Sequence, residues 1–219
     1  MTRPDSQLVS DAPLPYLLSA PAGTEVRPVL CFLHGYDEGP PADIRRGVTA
    51  HGPLRPDGAP GVVGEFLVVA PQLPARGDLW HRHAGAVQRI VRNVHERHGG
   101  DPERSYLTGF SFGGNGVFDL GLAQREFWAA LWAVDPTRIP PADPGLPVWL
   151  SFGEVGRYGK QGFLRRLALQ EAGAVLDGNR YFTDRGEDHV GSAASAYREE
   201  RVYRWLLSKR RAAPAPGAE

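Results

Sequence analysis

Gly109-Phe110-Ser111-Phe112-Gly113 is the stretch whose residue types and spacing could do covalent chemistry. It follows the run Ser105 to Thr108 and opens Gly114 to Gln124, a segment able to be helical, so strand, sharp turn and helix would meet at Ser111. A turn that tight forces the serine into a strained conformation with its hydroxyl exposed, and glycine on both sides lets neighbouring backbone approach. The amides that start the helix would face the oxygen that becomes negative when a hydroxyl attacks a carbonyl. In a chain with 27 glycines the five-residue pattern also arises by chance, and a serine that merely caps a helix satisfies it equally.

Three further features stand where such a serine needs them. His34-Gly35 ends an apolar run, and Gly35-Tyr36 can turn a backbone N–H toward Ser111 to pair with that of Phe112. His34 itself then reads as structural. His189 lies in a late loop, Arg185 to His189, from which a general base would have to come. Gln72, Leu73 and Trp80 follow another apolar run, at the edge where open α/β sheets place ligands, and Trp80 could wall a pocket or simply pack. Other groupings carry less. His81 and His83 beside Asp78 lack a third ligand at a zinc spacing, so no metal is expected. His95 and His98, like Glu199, Glu200 and Arg201, read as solvated helix faces. Gly113 to Gly116 lacks the lysine of a phosphate loop.

The elements that must position these residues read as βαβ units of a mainly parallel sheet. Strands are predicted at Tyr16 to Ser19, Val29 to Leu33, Phe66 to Ala70, Ser105 to Thr108, Ala130 to Val134, Val148 to Phe152 and Arg180 to Thr183. The second to sixth are continuously apolar, as strands buried on both faces must be. Val87, Ile90, Val91 and Val94 make one apolar stripe on a helix over Ala84 to Arg97, stopped by Gly99 and Gly100. Phe163, Leu164, Leu167 and Leu169 mark a second helix, and Tyr197, Val202, Trp205 and Leu206 a final one. Pro40 to Pro60, with five prolines and three glycines, is predicted to be a loop over the sheet's edge, within a lid spanning 36–61. The expected organisation is one domain over 1–211 followed by a disordered tail at 212–219.

Composition removes several classes of partner. Lys plus Arg and Asp plus Glu each number 25, so there is no net field to attract nucleic acid or an anionic membrane. Met1 to Ser10 is polar and reads as no secretion signal. The longest apolar runs fall far short of the roughly 20 residues of a spanning helix. The single cysteine, Cys31, excludes an internal disulfide and sits in an apolar run as a buried thiol; reducing cytoplasm is the expected compartment.

In order and spacing, Leu33-His34-Gly35, Val69-Ala70-Pro71-Gln72-Leu73-Pro74, Asp101 to Gly114 and the late His189 resemble α/β-hydrolases of the small serine-esterase type. Dienelactone hydrolases, phospholipase/carboxylesterases and polyhydroxybutyrate-depolymerase-like or feruloyl esterases share this pattern, and the similarity spans Val29 to Leu207. The resemblance implies an α/β-hydrolase fold, a mainly parallel central sheet flanked by helices on both faces. It implies Ser111 as nucleophile, His189 as base, and Tyr36 and Phe112 as oxyanion donors, with no cofactor. One position departs. These relatives place the acid in a stretch like H-G-x-x-D, whereas Phe152-Gly153-Glu154-Val155-Gly156 puts glycine in that slot. Glu154 stands first as a displaced acid, Asp135 second and Asp188, adjacent to the base, third. The expected activity is cleavage of a small-molecule ester or thioester through an acyl-enzyme. The irregular acid keeps open a lyase, cyclase or acyltransferase, or a binding module without catalysis. Oligomeric state is left open.

Overall fold

The computed structural model describes residues 6–56 and 61–211. In chain order its elements are β1 (Ser6–Val9), β2 (Tyr16–Ser19), β3 (Arg27–Leu33), α1 (Ile44–Ala50), β4 (Leu67–Pro71), α2 (Ala84–His98), β5 (Gly100–Phe110), α3 (Phe112–Ala123), β6 (Ala130–Val134), β7 (Val148–Phe152), α4 (Glu154–Tyr158), α5 (Lys160–Leu167), β8 (Gln170–Glu171), β9 (Arg180–Asp184), α6 (His189–Ala196) and α7 (Glu200–Leu207). The strands form one sheet in the order β1-β2-β4-β3-β5-β6-β7-β9-β8. From β4 to β8 every pairing is parallel, and β1 and β2 close one edge in antiparallel fashion.

Alternation along the strands feeds two cores. Val29, Cys31 and Leu33 of β3 face a cluster that includes the α2 stripe, Val117 and Phe118 of α3, and Phe163 and Leu167 of α5. Leu30 and Phe32 face the other cluster, with Val48 of α1, Ala193 and Ala196 of α6, and Val202, Trp205 and Leu206 of α7. Burial on both sides is why these strands read as unbroken apolar runs. Each buried Val, Leu or Ile contributes about 1.5–3 kcal/mol, so the helix stripes hold the layers together without any crosslink. Cys31 lies wholly within the first core, where burial pushes its thiol well above the ordinary value.

All seven predicted strands are present, some longer than read, and β1 and the two-residue β8 add to them. Gly99 ends α2 at φ 69°, a left-handed position suited to glycine. Two expectations need correction. Pro40 to Pro60 is not loop throughout: α1 forms inside it, capped by Asp43, whose Oδ1 accepts from the amides of Arg45 at 3.0 Å and Arg46 at 3.3 Å. The single final helix is two, α6 and α7, with the chain turning at Tyr197–Glu199; Tyr197 caps α6, its amide bonded to Ala193 O at 3.1 Å, and its ring is buried with the hydroxyl 3.0 Å from Thr108 Oγ1. Residues 57–60 of the expected lid and the tail at 212–219 lie outside the described residues. Among the described residues no helix is long and apolar enough to cross a membrane.

Candidate active site

Strand ends deliver the reactive groups. Ser111 is the residue after β5, its backbone at φ 57°, ψ −117°, and its amide bonds to Val134 O at the end of β6. Asp135 is the residue after β6, at φ 41°, and its amide bonds to Ser151 O in β7. Two left-handed, non-glycine residues in equivalent places each store about 1–3 kcal/mol of strain, which the sheet ladders on both sides sustain. The strain aims both side chains past the carboxyl edge of the sheet instead of along it. Asn115 on α3 ties the loop after Asp135 to the helix after Ser111: its Oδ1 accepts from the amides of Thr137 at 3.0 Å and Arg138 at 3.1 Å, and its Nδ2 donates to Thr137 Oγ1 at 2.6 Å.

His189 is the first residue of α6, not a member of a free loop. Asp188 caps the helix by accepting from the Gly191 amide at 2.6 Å, and Ser192 Oγ donates to His189 O at 2.7 Å. The imidazole reaches back 78 positions so that Nε2 lies 3.0 Å from Ser111 Oγ, while Nδ1 lies 2.5 Å from Asp135 Oδ2. Asp135 is 0% exposed, and three backbone amides point at it: Gly153 and Gly156 donate to Oδ1 at 3.0 and 2.6 Å, and Val155 to Oδ2 at 3.3 Å. A carboxylate ringed by donors is an acceptor on every side, so the shared proton belongs on Nδ1 and Nε2 is left to accept from the serine hydroxyl. The Phe110 ring covers the imidazole at 4.7 Å between centroids.

The region opposite the imidazole is equally fixed. A Cβ on Gly35 would sit 3.5 Å from Ser111 Cβ, so the chain entering Tyr36 packs directly against the serine. His34 Nδ1 donates to Gly35 O at 2.7 Å and Nε2 accepts from the Leu73 amide at 3.0 Å, which fixes the neutral tautomer. In a trans peptide the N–H points opposite to the C=O, so the His34 bond to Gly35 O also sets the direction of the Tyr36 N–H. Phe112 N–H belongs to the first turn of α3, where amides have no partner within the helix. Tyr36, 44% exposed, has its ring edge-on to Phe112 at 5.0 Å and 5.4 Å from the Arg76 guanidinium.

His34 also carries a pH prediction. Burial holds its pKa down to about 4 against an ordinary 6.5, partly offset by the Gly35 carbonyl. Between those values the unfolded chain binds a proton that the folded chain does not, so stability falls as pH drops from 6.5 toward 4, by about 1.4 kcal/mol per unit from this residue. His95, held down to about 4 mainly by burial, adds in the same direction. Urea midpoints at pH 7, 6 and 5 should therefore decline, and His34→Gln should flatten the slope; a midpoint that stays level across that range contradicts it.

No protein family and no curated protein matches the chain by sequence. Among solved structures the chain is similar to one described as "Crystal Structure of a Thermostable Esterase", with a TM-score of 0.71 and 22% identity over 94% of this chain. The match covers 62% of the length of that esterase. The chain has the α/β-hydrolase fold. Within this α/β-hydrolase fold the residues read from the sequence divide. Ser111, His189 and Asp135 come together, with Gly35, Tyr36 and Phe112 around them. Glu154, placed first as the acid, is exposed at the start of α4, and the imidazole nitrogen it was to orient is bonded to Asp135. Asp188 is occupied as the α6 cap. Trp80 does not wall a pocket: it is buried, its Nε1 donating to His34 O at 3.0 Å. Gln72 is buried too, and its Nε2 donates to Glu38 O at 2.8 Å and Ala42 O at 3.0 Å, pinning the loop ahead of α1.

His81 and His83 part company, the first toward Asp119 at 3.9 Å and the second to Asp78 at 2.7 Å. Among the described residues no group of three or more His, Cys, Asp or Glu could hold a metal ion. Glu199 is not a solvated face: its side chain is 7% exposed between Arg185 and Arg201. Sequence reasoning missed Glu38 and His51. Glu38 Oε1 lies 3.4 Å from His51 Nε2, and Glu38 Oε2 would crowd a Gly35 Cβ at 2.8 Å. Burial, first among several influences, raises the Glu38 carboxyl and lowers His51. A Glu four residues after His34 was the available signal.

Proposed function

We propose that the chain is a serine hydrolase that cleaves a carboxylic ester or thioester through an acyl-enzyme. One observation carries the reading: an unbroken hydrogen-bonded line from Ser111 Oγ through His189 to a buried Asp135, at 3.0 and 2.5 Å. In the first half-reaction Ser111 Oγ bonds to the carbonyl carbon as His189 Nε2 takes the hydroxyl proton, and the carbonyl electron pair moves onto oxygen, facing the Tyr36 and Phe112 amides. Collapse of the adduct breaks the bond to the alcohol or thiol, which leaves with the proton from His189. Water then repeats the sequence and frees the acid, with Asp135 stabilising each imidazolium. The likeness to a thermostable esterase supports the choice of substrate class. The non-hydrolytic alternatives rested on a vacant acid position; Asp135 removes their motive.

The test is direct. A fluorophosphonate probe should add to the protein and p-nitrophenyl acetate or butyrate should be turned over, with the probe mapped by peptide mass to the segment containing Ser111. An adduct elsewhere, or no adduct together with no turnover of oxygen or sulfur esters, refutes the reading.

A further inference from the structure

Gly153, Val155, Gly156, Arg157 and Lys160 hold both Asp135 and the segment that leads into His189. The amides of Gly153, Val155 and Gly156, at and within the start of α4, form the cradle of Asp135. From the same helix Arg157 reaches the other way. Its Nε and Nη2 donate to Asp184 Oδ1 at 3.0 and 2.8 Å, Nε also lies 3.1 Å from Oδ2, and Nη2 donates to Glu187 O at 3.1 Å. Asp184 ends β9 beside Phe152 of β7, and Glu187 is two residues ahead of His189. Lys160 adds a bond to Asp184 Oδ2 at 2.9 Å, and Asp184 Oδ1 accepts from the Gly186 amide at 3.1 Å, so the segment leading into α6 is tied at both its carboxylate and its backbone.

We propose that Arg157 is a positioning residue that couples the acid to the base, α4 acting as one clamp that sets the distance from Asp135 to His189. This rests on the serine hydrolase reading above for its kinetic consequence, though not for its geometry. The planar guanidinium is suited to the task, because it bonds a carboxylate with two nitrogens and keeps a further N–H for a carbonyl; a lysine ammonium cannot reproduce that fork. Arg157 N itself bonds to Gly153 O at 3.0 Å, so the side chain that holds the base segment springs from the same turn whose amides hold the acid. A shift of α4 therefore moves both partners together. Losing the guanidinium leaves Asp135 cradled but removes the fork on Asp184 and the bond to Glu187 O, leaving Lys160 alone to hold Asp184 from this side, so the segment leading into α6 loosens and the imidazole drifts relative to the carboxylate. Displacements near 1 Å at such a site cost about 10²-fold in rate.

The experiment compares wild type with Arg157→Ala, Arg157→Lys and Asp184→Asn, all well below their melting temperatures. Arg180→Ala serves as control, because Arg180 makes a similar pair with Asp143, at 2.8 and 3.0 Å, that leads to neither partner. Two readouts are taken: the second-order rate constant for fluorophosphonate labelling, and the downfield proton NMR signal of the His189 Nδ1–H. Arg157→Ala should lower the labelling rate constant about 10–100-fold and broaden or shift the Nδ1–H signal. Arg157→Lys should recover part of the loss, and the control should match wild type. Asp184→Asn, nearly isosteric, should lie between, and decides the matter if Arg157→Ala does not fold. A lower melting temperature with unchanged labelling and an unchanged Nδ1–H signal overturns the proposal. A wild type that shows the Nδ1–H signal yet never labels would instead overturn the hydrolase reading, and the NMR comparison would still judge Arg157.

Discussion

Asp135→Asn is expected to lower kcat for p-nitrophenyl ester hydrolysis about 10⁴-fold, the loss this change causes at the acid of a serine-protease triad. The geometry around position 135 gives the reason. Gly153 and Gly156 both donate to Oδ1, so an asparagine must present its carbonyl oxygen there or confront donors with donors. That choice turns the NH₂ toward His189 Nδ1, which then has to accept, and the imidazole proton moves to Nε2. A protonated Nε2 cannot take the Ser111 proton. The loss is therefore mainly one of tautomer, so KM should stay near wild type; the NH₂ also leaves the Val155 amide without its acceptor at 3.3 Å, so the thermal midpoint should fall modestly. Glu154→Gln is the matched control. Its side chain is exposed, and kcat should stay close to wild type. Steady-state kinetics on the two variants, each checked by circular dichroism, read the outcome; a large loss at Glu154 with activity retained at Asp135 would reverse the assignment of the acid.

That comparison also marks where sequence reading reached and where it stopped. The turn at Ser111 was legible because three local signals coincide: an apolar strand, a glycine on each side of the Phe-Ser-Phe centre, and a helix to follow. The second to sixth of the seven predicted strands were legible because burial on both faces writes itself as continuous apolar residues. The acid was not legible, because two strand ends present carboxylates and the choice between them depends on the direction of backbone amides. Gly156 reads as an empty acid slot; in space its missing side chain, with that of Gly153, is what admits the Asp135 carboxyl. A Cβ on Gly153 would sit 2.6 Å from Asp135 Oδ2, and one on Gly156 would sit 2.9 Å from Oδ1. β1 and β8 have few apolar residues because each has a single neighbouring strand. α1 was hidden by the surrounding prolines, although Asp43 ahead of Ile44 was a readable cap.

Gly113→Ala is expected to abolish folding, or to cost more than about 4–5 kcal/mol where any folded protein can be recovered. The backbone of Gly113 is ordinary helix, so the obstacle is space. A Cβ there would stand 2.6 Å from the Leu33 carbonyl carbon, closer still to its oxygen, and 2.7 Å from His34 O. These are backbone atoms, and nothing nearby can give. Leu33 is paired with Gly109 across the β3–β5 ladder; His34 is held by its bonds to Gly35 O and the Leu73 amide; and His34 O accepts from Trp80 Nε1. The helix cannot retreat either, since Asn115 in its first turn is bonded to the loop after Asp135. A Cβ on Gly109 would be crowded in turn, 2.5 Å from the Gly113 carbonyl carbon and 2.9 Å from Leu33 O. Gly64→Ala gives the contrast: with no neighbouring atom within 4 Å of the added Cβ and no left-handed φ, it should leave the urea midpoint unchanged or raise it slightly by restricting the unfolded chain. Expression yield and urea denaturation of the two variants measure the difference. If Gly113→Ala unfolds within about 1 kcal/mol of wild type, the end of β3 yields far more than backbone anchored in a sheet should, and the close seat of the Tyr36 amide beside Ser111 would have to be given up with it.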